Sequence, residues 1–393
     1  MAAVFIVVAV VGFLVLRSAT TGAPVGEISG TEPAAGAKFP WEMAEQPPSS
    51  IPLDEVISGG PPPDGIPSID APSFVTAAEA DEWLGPREPV ISLVRGDTVR
   101  AYPLQIVTWH EIVNDEIDGE PITVTFCPLC NSAIAFERSV DATPDARAML
   151  GTDDVVLDFG TSGRLYRSNL VMYDRQTKSL WVQFTGESFT GPFMGTDLVN
   201  VPVQIVGWSD VKTAHPEVEV LSRDTGQSRP YGSNPYVGYD DVDSSPFLFD
   251  GSTDDRLRPM ERVVAVSEGE DSVAYRFTDL EARADDGAAV VTDRDWVVFY
   301  ELGAASALDS SRIADGRDVG ATGVFRPTLE GRELSFEVRD GAFVETTTGS
   351  RFDILGRGVS GPLEGEQLDA VVHDDTFWFV WATFRPGTAI WSS

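Results

Sequence analysis

The sequence predicts a β-rich α+β protein made of two tandem, internally duplicated lobes, each built from short strands with few helices. The first observation behind this prediction is that most apolar runs are short, rich in β-branched residues and bounded by Gly, Pro or Asp, which is typical of strands joined by turns. Such runs lie at residues 90–94, 122–126, 155–159, 297–300 and 334–338. The second observation is a repeat within the chain.

The chain resembles itself at a nearly constant offset. Residues 89–104 align with residues 262–277, and further matches continue to the end of the chain: Val90 with Val263, Gly96 with Gly269, Tyr102 with Tyr275, Gly186 with Gly356, Trp208 with Trp378 and Pro216 with Pro386. Self-similarity at a fixed period is what duplicated modules leave behind. We therefore predict repeat 1 at residues 64–235 and repeat 2 at residues 236–393, each with its own core.

A few helices are expected between the strands. Thr76 followed by Glu79 forms a capping-box pattern that predicts a helix over residues 76–84. Residues 208–214 lead into His215-Pro216, and the aligned residues 378–384 lead into Arg385-Pro386. Both pairs predict a helix that stops before the proline.

The N-terminus predicts export. Residues 2–16 are apolar and uncharged, so residues 1–17 are expected to be a hydrophobic anchor or a signal segment. Residues 18–63 are rich in Pro and Gly and are expected to be an extended linker. We expect a single anchor in the cell membrane with an extracytoplasmic domain. The alternative is a secreted or periplasmic protein released by signal cleavage.

The charge of the chain limits its partners. The sequence has 28 Lys and Arg against 62 Asp and Glu, a formal net charge of −34. Binding nucleic acid requires basic groups that replace the counterions of phosphates, so we expect no nucleic-acid partner. Membrane contact is expected only through the N-terminal segment, and a small-molecule or protein partner stays open.

The two cysteines distinguish the repeats. Cys127 and Cys130 form the motif Cys-Pro-Leu-Cys, and the aligned positions in repeat 2 hold Tyr300 and Gly303. His110 in Trp109-His110-Glu111 likewise has no histidine counterpart. Residues common to both repeats are expected to be scaffold, so those confined to one repeat are the better candidates for chemistry.

Three interpretations of the cysteine pair remain open. The first is a soft-metal site for copper or zinc, with His110 as the third ligand. The second is thiol–disulfide redox chemistry, although residues 133–136 look more like a strand than the helix that usually activates such a pair. The third is an inert local disulfide, or two buried thiols, in a non-catalytic extracytoplasmic binding or scaffold protein.

An insertion in repeat 1 supplies a candidate pocket. Repeat 2 lacks about six residues found between residues 161 and 181, and glycines flank the inserted polar and aromatic side chains. Functional residues concentrate on such loops. The candidate pocket residues are Ser162, Arg164, Tyr166, Asn169, Tyr173, Asp174, Arg175 and Trp181.

Several segments together resemble one known family. AYPLQIVTWHEIVND, TFCPLCNSAIAF, FGTSGRLYRSNLVMYDRQTKSLW and LSRDTG are similar to the prokaryotic "domain of unknown function 3179", from about residue 64 to the C-terminus. The resemblance implies no activity. Asn131 stands where many relatives are expected to have Gly, and Asn also tolerates a positive φ, so the same turn is expected here.

Overall fold

A computed structural model describes residues 48–269 and 271–392. The predicted fold class is confirmed, because this part of the chain contains 29 mostly short strands and only six α-helices, none longer than seven residues. The predicted anchor or signal at residues 1–17 lies outside the described residues. Within them, no helix has the length and apolar character needed to cross a bilayer.

The helices are α1 Ala77–Ala80, α2 Leu104–Val107, α3 Pro144–Leu150, α4 Trp208–Ala214, α5 Phe277–Arg283 and α6 Trp378–Phe384. The strands of the first half are β1 Val56–Ser58, β2 Phe74–Thr76, β3 Pro89–Arg95, β4 Thr98–Pro103, β5 Ile112–Ile117, β6 Glu120–Cys127, β7 Ser132–Glu137, β8 Ser139–Asp141, β9 Asp154–Val156, β10 Phe159–Tyr166, β11 Asn169–Asp174, β12 Leu180–Val182, β13 Ser188–Thr190, β14 Asn200–Val201, β15 Gln204–Gly207 and β16 Glu219–Leu221.

The second half contains β17 Arg262–Glu268, β18 Asp271–Arg276, β19 Ala288–Asp293, β20 Trp296–Glu301, β21 Ala321–Phe325, β22 Thr328–Leu329, β23 Arg332–Glu333, β24 Phe336–Arg339, β25 Ala342–Glu345, β26 Arg351–Phe352, β27 Gly358–Ser360, β28 His373–Phe377 and β29 Ala389–Ile390. Two short 3-10 turns lie at Leu53–Glu55 and Ile313–Asp315.

Three sheets of the first half have counterparts in the second. The order β15-β3-β4-β16 recurs as β28-β17-β18-β29, and among these strands only the pairs β4–β16 and β18–β29 are parallel. The sheet β5-β6-β7 matches β19-β20-β21, and β10-β11-β12-β13 matches β24-β25-β26-β27. The strand order therefore runs in parallel with the similarity in the sequence, which we interpret as a duplication.

Local sequence signals explain several element boundaries. The side-chain oxygen of Thr76 accepts a hydrogen bond from the Glu79 backbone N–H while the Glu79 carboxylate caps the Thr76 N–H, the predicted capping box. The helix it starts is shorter than predicted, since α1 gives way to a turn after Ala80. Helices α4 and α6 occupy the predicted residues and end before the two X-Pro pairs.

Two predicted boundaries are wrong. The apolar run 155–159 is divided between β9, which pairs with β8, and β10, which pairs with β11. The predicted linker is ordered from residue 48 onward: β1 pairs with β10, and Val56 is buried. The buried side chain of Val56 and the pairing of β1 attach this Pro-rich segment to the edge of the sheet.

The core is shared between the two halves. The largest apolar cluster includes Phe126 and Phe136 of the first half with Phe377 and Trp378 of the second. A second cluster joins Trp208 to residues of the second half, and a third lies within the second half alone. The expectation of a separate core for each repeat is therefore wrong, and the first half is folded against the second.

Candidate functional site

Cys127 and Cys130 lie on a tight turn between β6 and β7. Cys130 N donates to Cys127 O at 3.1 Å, and Asn131 takes a left-handed conformation with φ of 52° as the chain enters β7. This turn places both sulphur atoms on one side, 3.0 Å apart. Both residues are free cysteines, 2% and 0% exposed respectively. A disulfide needs a distance of about 2.05 Å, so a small movement would join the two sulphurs.

The hairpin of β10 and β11, which holds the insertion of repeat 1, reaches the thiols with its tip. Arg167 and Ser168 form its two-residue turn with φ of 54° and 67°, which is the conformation that tight hairpins favour. Ser168 O lies 4.0 Å from Cys127 Sγ and 3.7 Å from Cys130 Sγ. It is an acceptor for either S–H group. The one-copy insertion and the one-copy cysteines therefore meet in the fold.

Asn169 donates a hydrogen bond to the inner thiol. Its Nδ2 lies 3.3 Å from Cys130 Sγ, and its Oδ1 accepts the Phe184 N–H at 3.0 Å. Because the oxygen is occupied by a backbone donor, the amide nitrogen must face the sulphur. Gln183 Oε1 accepts from the same nitrogen at 2.8 Å and Gln183 Nε2 donates to Thr125 Oγ1 at 2.9 Å. This buried network fixes a donor that favours the thiolate form of Cys130.

The backbone of Glu111 pairs with the end of β6 that leads into Cys127. Its backbone oxygen accepts the Phe126 N–H at 2.8 Å, one residue before Cys127, and its φ is 60°. The side chain is 9% exposed, and burial raises the pKa of its carboxyl to about 8. Its charge acts on Cys130. Left-handed conformations of non-glycine residues concentrate at functional sites, and Glu111, Asn131, Arg167 and Ser168 bring four of them to this one.

A segment from residue 231 to residue 247 covers the thiols. Tyr239 donates from its hydroxyl to Leu129 O at 3.1 Å and accepts the Phe247 N–H at 3.2 Å. Ser168 Oγ in turn donates to Phe247 O at 2.6 Å. Burial raises the pKa of the Tyr236 phenol, and the charges of Glu111 and Cys127 raise it further. Burial also raises the pKa of Cys130, so the cover keeps this thiol protonated at neutral pH.

The second half closes the other side of the turn. The Cys130 carbonyl accepts from Phe377 N at 3.1 Å and from Thr376 Oγ1 at 2.8 Å, both on β28. Asn131 Nδ2 donates to Asp375 O at 3.4 Å. The cysteine turn of the first half is thus held by a strand of the second.

His110 does not join the cysteines as a ligand. Its Nδ1 lies 2.6 Å from Pro67 O, a pure acceptor, so Nδ1 carries the proton. Its Nε2 accepts from the Tyr231 hydroxyl at 2.6 Å. Burial lowers the pKa of this imidazole to about 4, which keeps the ring neutral. Both nitrogens have partners outside the thiol pair, so the structure does not bring His110 together with Cys127 and Cys130 as predicted.

The donors expected of a metal site are not assembled. No group of three His, Cys, Asp or Glu side chains with metal-binding geometry occurs within residues 48–269 and 271–392. Two thiolates on one tetrahedral zinc ion lie about 3.8 Å apart, as follows from Zn–S bonds of about 2.3 Å. The sulphurs of Cys127 and Cys130 are closer than this.

Most residues of the predicted pocket lie elsewhere. Tyr173 donates to the Asp64 carboxylate, and Arg175 pairs with Asp64 and Asp70 at 3.3 and 3.2 Å. The carboxylate of Asp174 points the opposite way and accepts from Trp181 Nε1 at 3.0 Å. These residues stabilise the root of the hairpin and do not line a pocket with the thiols.

The remaining pocket candidates are Ser162, Arg164 and Tyr166. Ser162 Oγ donates to Val171 O at 2.5 Å and accepts the Arg164 N–H at 3.0 Å across the bulge of β10. Tyr166 packs edge-on against Phe384, with ring centroids 6.0 Å apart. Asn169 is the pocket candidate that donates a hydrogen bond to a cysteine.

Sequence reasoning missed Glu111, Ser168, Gln183, Tyr236 and Tyr239 as site residues. Glu111 directly follows His110, and the sequence pattern does not distinguish between these two neighbouring side chains. The tyrosine-rich segment YGSNPYVGY at residues 231–239 was a usable signal, but it crosses the boundary drawn between the repeats.

The fold and the site define a class of protein: a β-rich α+β protein with two similar halves and a buried dithiol at the junction of three segments of chain. The chain belongs to the family described as "Protein of unknown function (DUF3179)", which matches residues 63–388. No curated protein and no solved structure shows a significant match.

Proposed function

We propose that Cys127 and Cys130 form a redox-active dithiol that cycles to an intramolecular disulfide. The observation that carries this proposal is the 3.0 Å separation of two free sulphurs that have Asn169 as a hydrogen-bond donor. A copper or zinc site is less well supported, because His110 is occupied by other partners. The pair is buried, so the oxidant is a small disulfide that can enter beneath the tyrosine cover.

The reaction balances as a two-electron exchange. The Cys127 thiolate attacks one sulphur of the small disulfide, forming a mixed disulfide and releasing one thiolate. The Cys130 thiol then loses its proton and attacks Cys127 Sγ, which releases the second thiolate. The two thiolates take up the two protons lost by the cysteines. Cys127 is assigned the first attack because burial raises the pKa of Cys130, which keeps that thiol protonated until the second step.

Glu111 supplies the proton acceptor for these steps. A carboxylate whose pKa is about 8 is a stronger base than an ordinary glutamate, and its ionised form becomes available as the pH rises toward 8. Asn169 stabilises the thiolate as it forms at Cys130. Glu111 thus removes the protons, and Asn169 stabilises the negative charge on the sulphur.

An extracytoplasmic location is part of the proposal. It is supported by the apolar sequence of residues 2–16 and by the persistence of disulfides in oxidising compartments. The chain has 62 acidic and only 28 basic residues, which supports the further proposal that the partner is not a nucleic acid.

The test is a redox titration of the full chain in buffers of reduced and oxidised glutathione, with alkylation of free thiols and mass spectrometry. We expect one reversible two-electron transition at a potential above about −300 mV, since structural disulfides lie below that value. Cys127→Ser and Cys130→Ser should each abolish it. A pair that no glutathione buffer reduces, or stoichiometric copper or zinc lost in Cys127→Ser, would contradict the proposal.

The role of Glu111 has a matched control in Glu301. Burial raises the pKa of both carboxyl groups to about 8, but Glu301 lies at the end of β20 in the second half. Glu111→Gln should slow oxidation by about tenfold to a hundredfold, the usual range for losing a positioned base, and remove a step near pH 8 from the rate profile. Glu301→Gln should leave the rate unchanged.

A further inference from the structure

A cavity lies at the seam between the two halves. Strand β28 and helix α6 of the second half meet β7 and β14 of the first, and the space between them has a volume of about 50 Å³. A water molecule needs about 10 to 15 Å³ of such cavity volume, so the cavity accommodates a fragment of only a few heavy atoms. Its walls combine apolar and charged side chains, among them Phe184, Val201, His373, Asp374, Trp381 and Arg385.

His373 lines this cavity and carries an unused hydrogen-bond acceptor. The residue is 5% exposed, and its Nδ1 donates to Val371 O at 2.8 Å, which fixes the tautomer with the proton on Nδ1. Burial lowers the pKa of the ring to about 4, so Nε2 keeps a lone pair at neutral pH. Among the described residues, this buried Nε2 has no hydrogen-bond partner. An unsatisfied buried polar atom is costly, and a ligand with a donor group would satisfy it.

Arg385 brings a positive charge to the same cavity. It caps the C-terminus of α6 and donates to Phe384 O at 3.1 Å, and no ion pair to it is found in the described part of the chain. Its charge acts on Asp374, whose pKa burial raises to about 7. Asp374 can therefore present an O–H donor as well as a carboxylate. The aligned positions in the first half are Val203 and His215, so the first half lacks this combination.

We propose that the cavity binds a small carboxylate that carries a hydroxyl or amino group on the adjacent carbon. The hydroxyl or ammonium donates to His373 Nε2, and the carboxylate pairs with the Arg385 guanidinium. The apolar walls contact the carbon atoms between them. This site is separate from the thiols, although β28 contributes to both: His373 begins the strand, and Thr376 near its end holds the Cys130 carbonyl.

The test uses the small number of histidines. The chain has three, so ¹⁵N-histidine labelling of the full chain gives a spectrum that single His→Asn variants can assign. Titration with glycolate or glycine should shift the Nε2 resonance of His373 and leave those of His110 and His215 unchanged. Acetate lacks the donor and 1,2-ethanediol lacks the carboxylate, so each should produce a much weaker shift.

Arg385→Gln is the decisive variant, because its side chain is partly exposed and its loss leaves the core intact. Losing a charged hydrogen-bond partner should weaken glycolate binding by about tenfold or more. Arg351→Gln, at an exposed arginine on β26, should bind as the parent does. Calorimetry on the same samples gives the affinities independently of the labels.

The proposal fails if millimolar glycolate and glycine leave the His373 resonance unmoved, which would show that water alone occupies the cavity. It also fails if acetate or 1,2-ethanediol binds as well as glycolate, or if Arg385→Gln binds with unchanged affinity. The redox titration at the cysteines does not depend on any of these results.

Discussion

The two halves of the molecule share a turn below a hairpin. In the first half, the Asp174 carboxylate accepts the Thr177 N–H at 2.5 Å at the end of β11. In the second, the Glu345 carboxylate accepts the Thr348 N–H at 2.7 Å at the end of β25. A serine two residues further on then receives a backbone donor at 3.0 Å in both, Ser179 from Phe193 and Ser350 from Leu363.

The hairpins above these turns differ in length. Strands β10 and β11 have eight and six residues and reach the cysteine turn, whereas β24 and β25 have four each and stop short at Asp340–Gly341. The comparison teaches that the scaffold is common to the two halves and that the site lies where the longer hairpin crosses the cysteine turn. Substitutions in the common turns should therefore affect stability in either half, whereas those at the cysteine turn test a feature of the first half alone.

The largest effect is expected from Asp174→Ala. The buried carboxylate accepts from Thr177 N, Thr177 Oγ1 and Trp181 Nε1, and its loss leaves these donors unpaired. We expect the free energy of unfolding to fall by about 3 kcal/mol in urea denaturation. Glu345→Ala, the matched change in the second half, should cost about 2 kcal/mol. Losses below about 0.5 kcal/mol in both would show that the turn is not a common stabilising device.

The next effect is a dependence of stability on pH. Burial raises the folded-state pKa of Glu111 and Glu301 to about 8, from an ordinary value of 4.5. Between these values the folded protein binds more protons than the unfolded chain, so stability is full below about pH 4.5 and falls as pH rises toward 8. Glu111→Gln and Glu301→Gln should each stabilise the protein by about 2 kcal/mol at about pH 9 and have little effect at about pH 4. Destabilisation at the higher pH would contradict the sign.

A smaller effect is expected where the second half holds the cysteine turn. Thr376→Val keeps the shape of the side chain and removes the donor to Cys130 O, which still receives Phe377 N. The cost should be about 1 kcal/mol in urea denaturation. Thr383→Val, which removes a hydroxyl that donates to Phe379 O within α6, is the control and should cost less. A change in the glutathione redox equilibrium is expected only for Thr376→Val.

The smallest effect is expected at Asn131. Its φ of 52° suits Gly as well as Asn, and its side chain makes one long hydrogen bond of 3.4 Å to Asp375 O. Asn131→Gly should change the free energy of unfolding by less than about 0.5 kcal/mol, whereas Asn131→Ala should cost about 1 kcal/mol. Equal costs for the two variants would show that the left-handed conformation is not what this position requires.

The fold was predictable where the signal was local. Helices α4 and α6 and the capping box at Thr76 follow from neighbouring residues, and the similarity between the halves anticipates their matching strand order. The strand at residues 132–137 was likewise expected. Strand β1 was missed because its stability comes from pairing with β10, more than 100 residues away.

The site was predictable only in part. Cys127, Cys130 and Asn169 were found because they occur in one half alone. Glu111 was not distinguished from its neighbour His110, because spacing cannot say which of two adjacent side chains turns toward the thiols. Tyr236 and Tyr239 come to the site through tertiary folding, which no local pattern records.

The bonds from β28 to Cys130 have a consequence for dissecting the protein. A chain cut after residue 235 would leave the Cys130 carbonyl without Thr376 and Phe377 and would remove Tyr236 and Tyr239 from above the sulphurs. Neither half is then a portable module. The half without cysteines holds the other half as a partner subunit would, so the dithiol belongs to the intact chain alone.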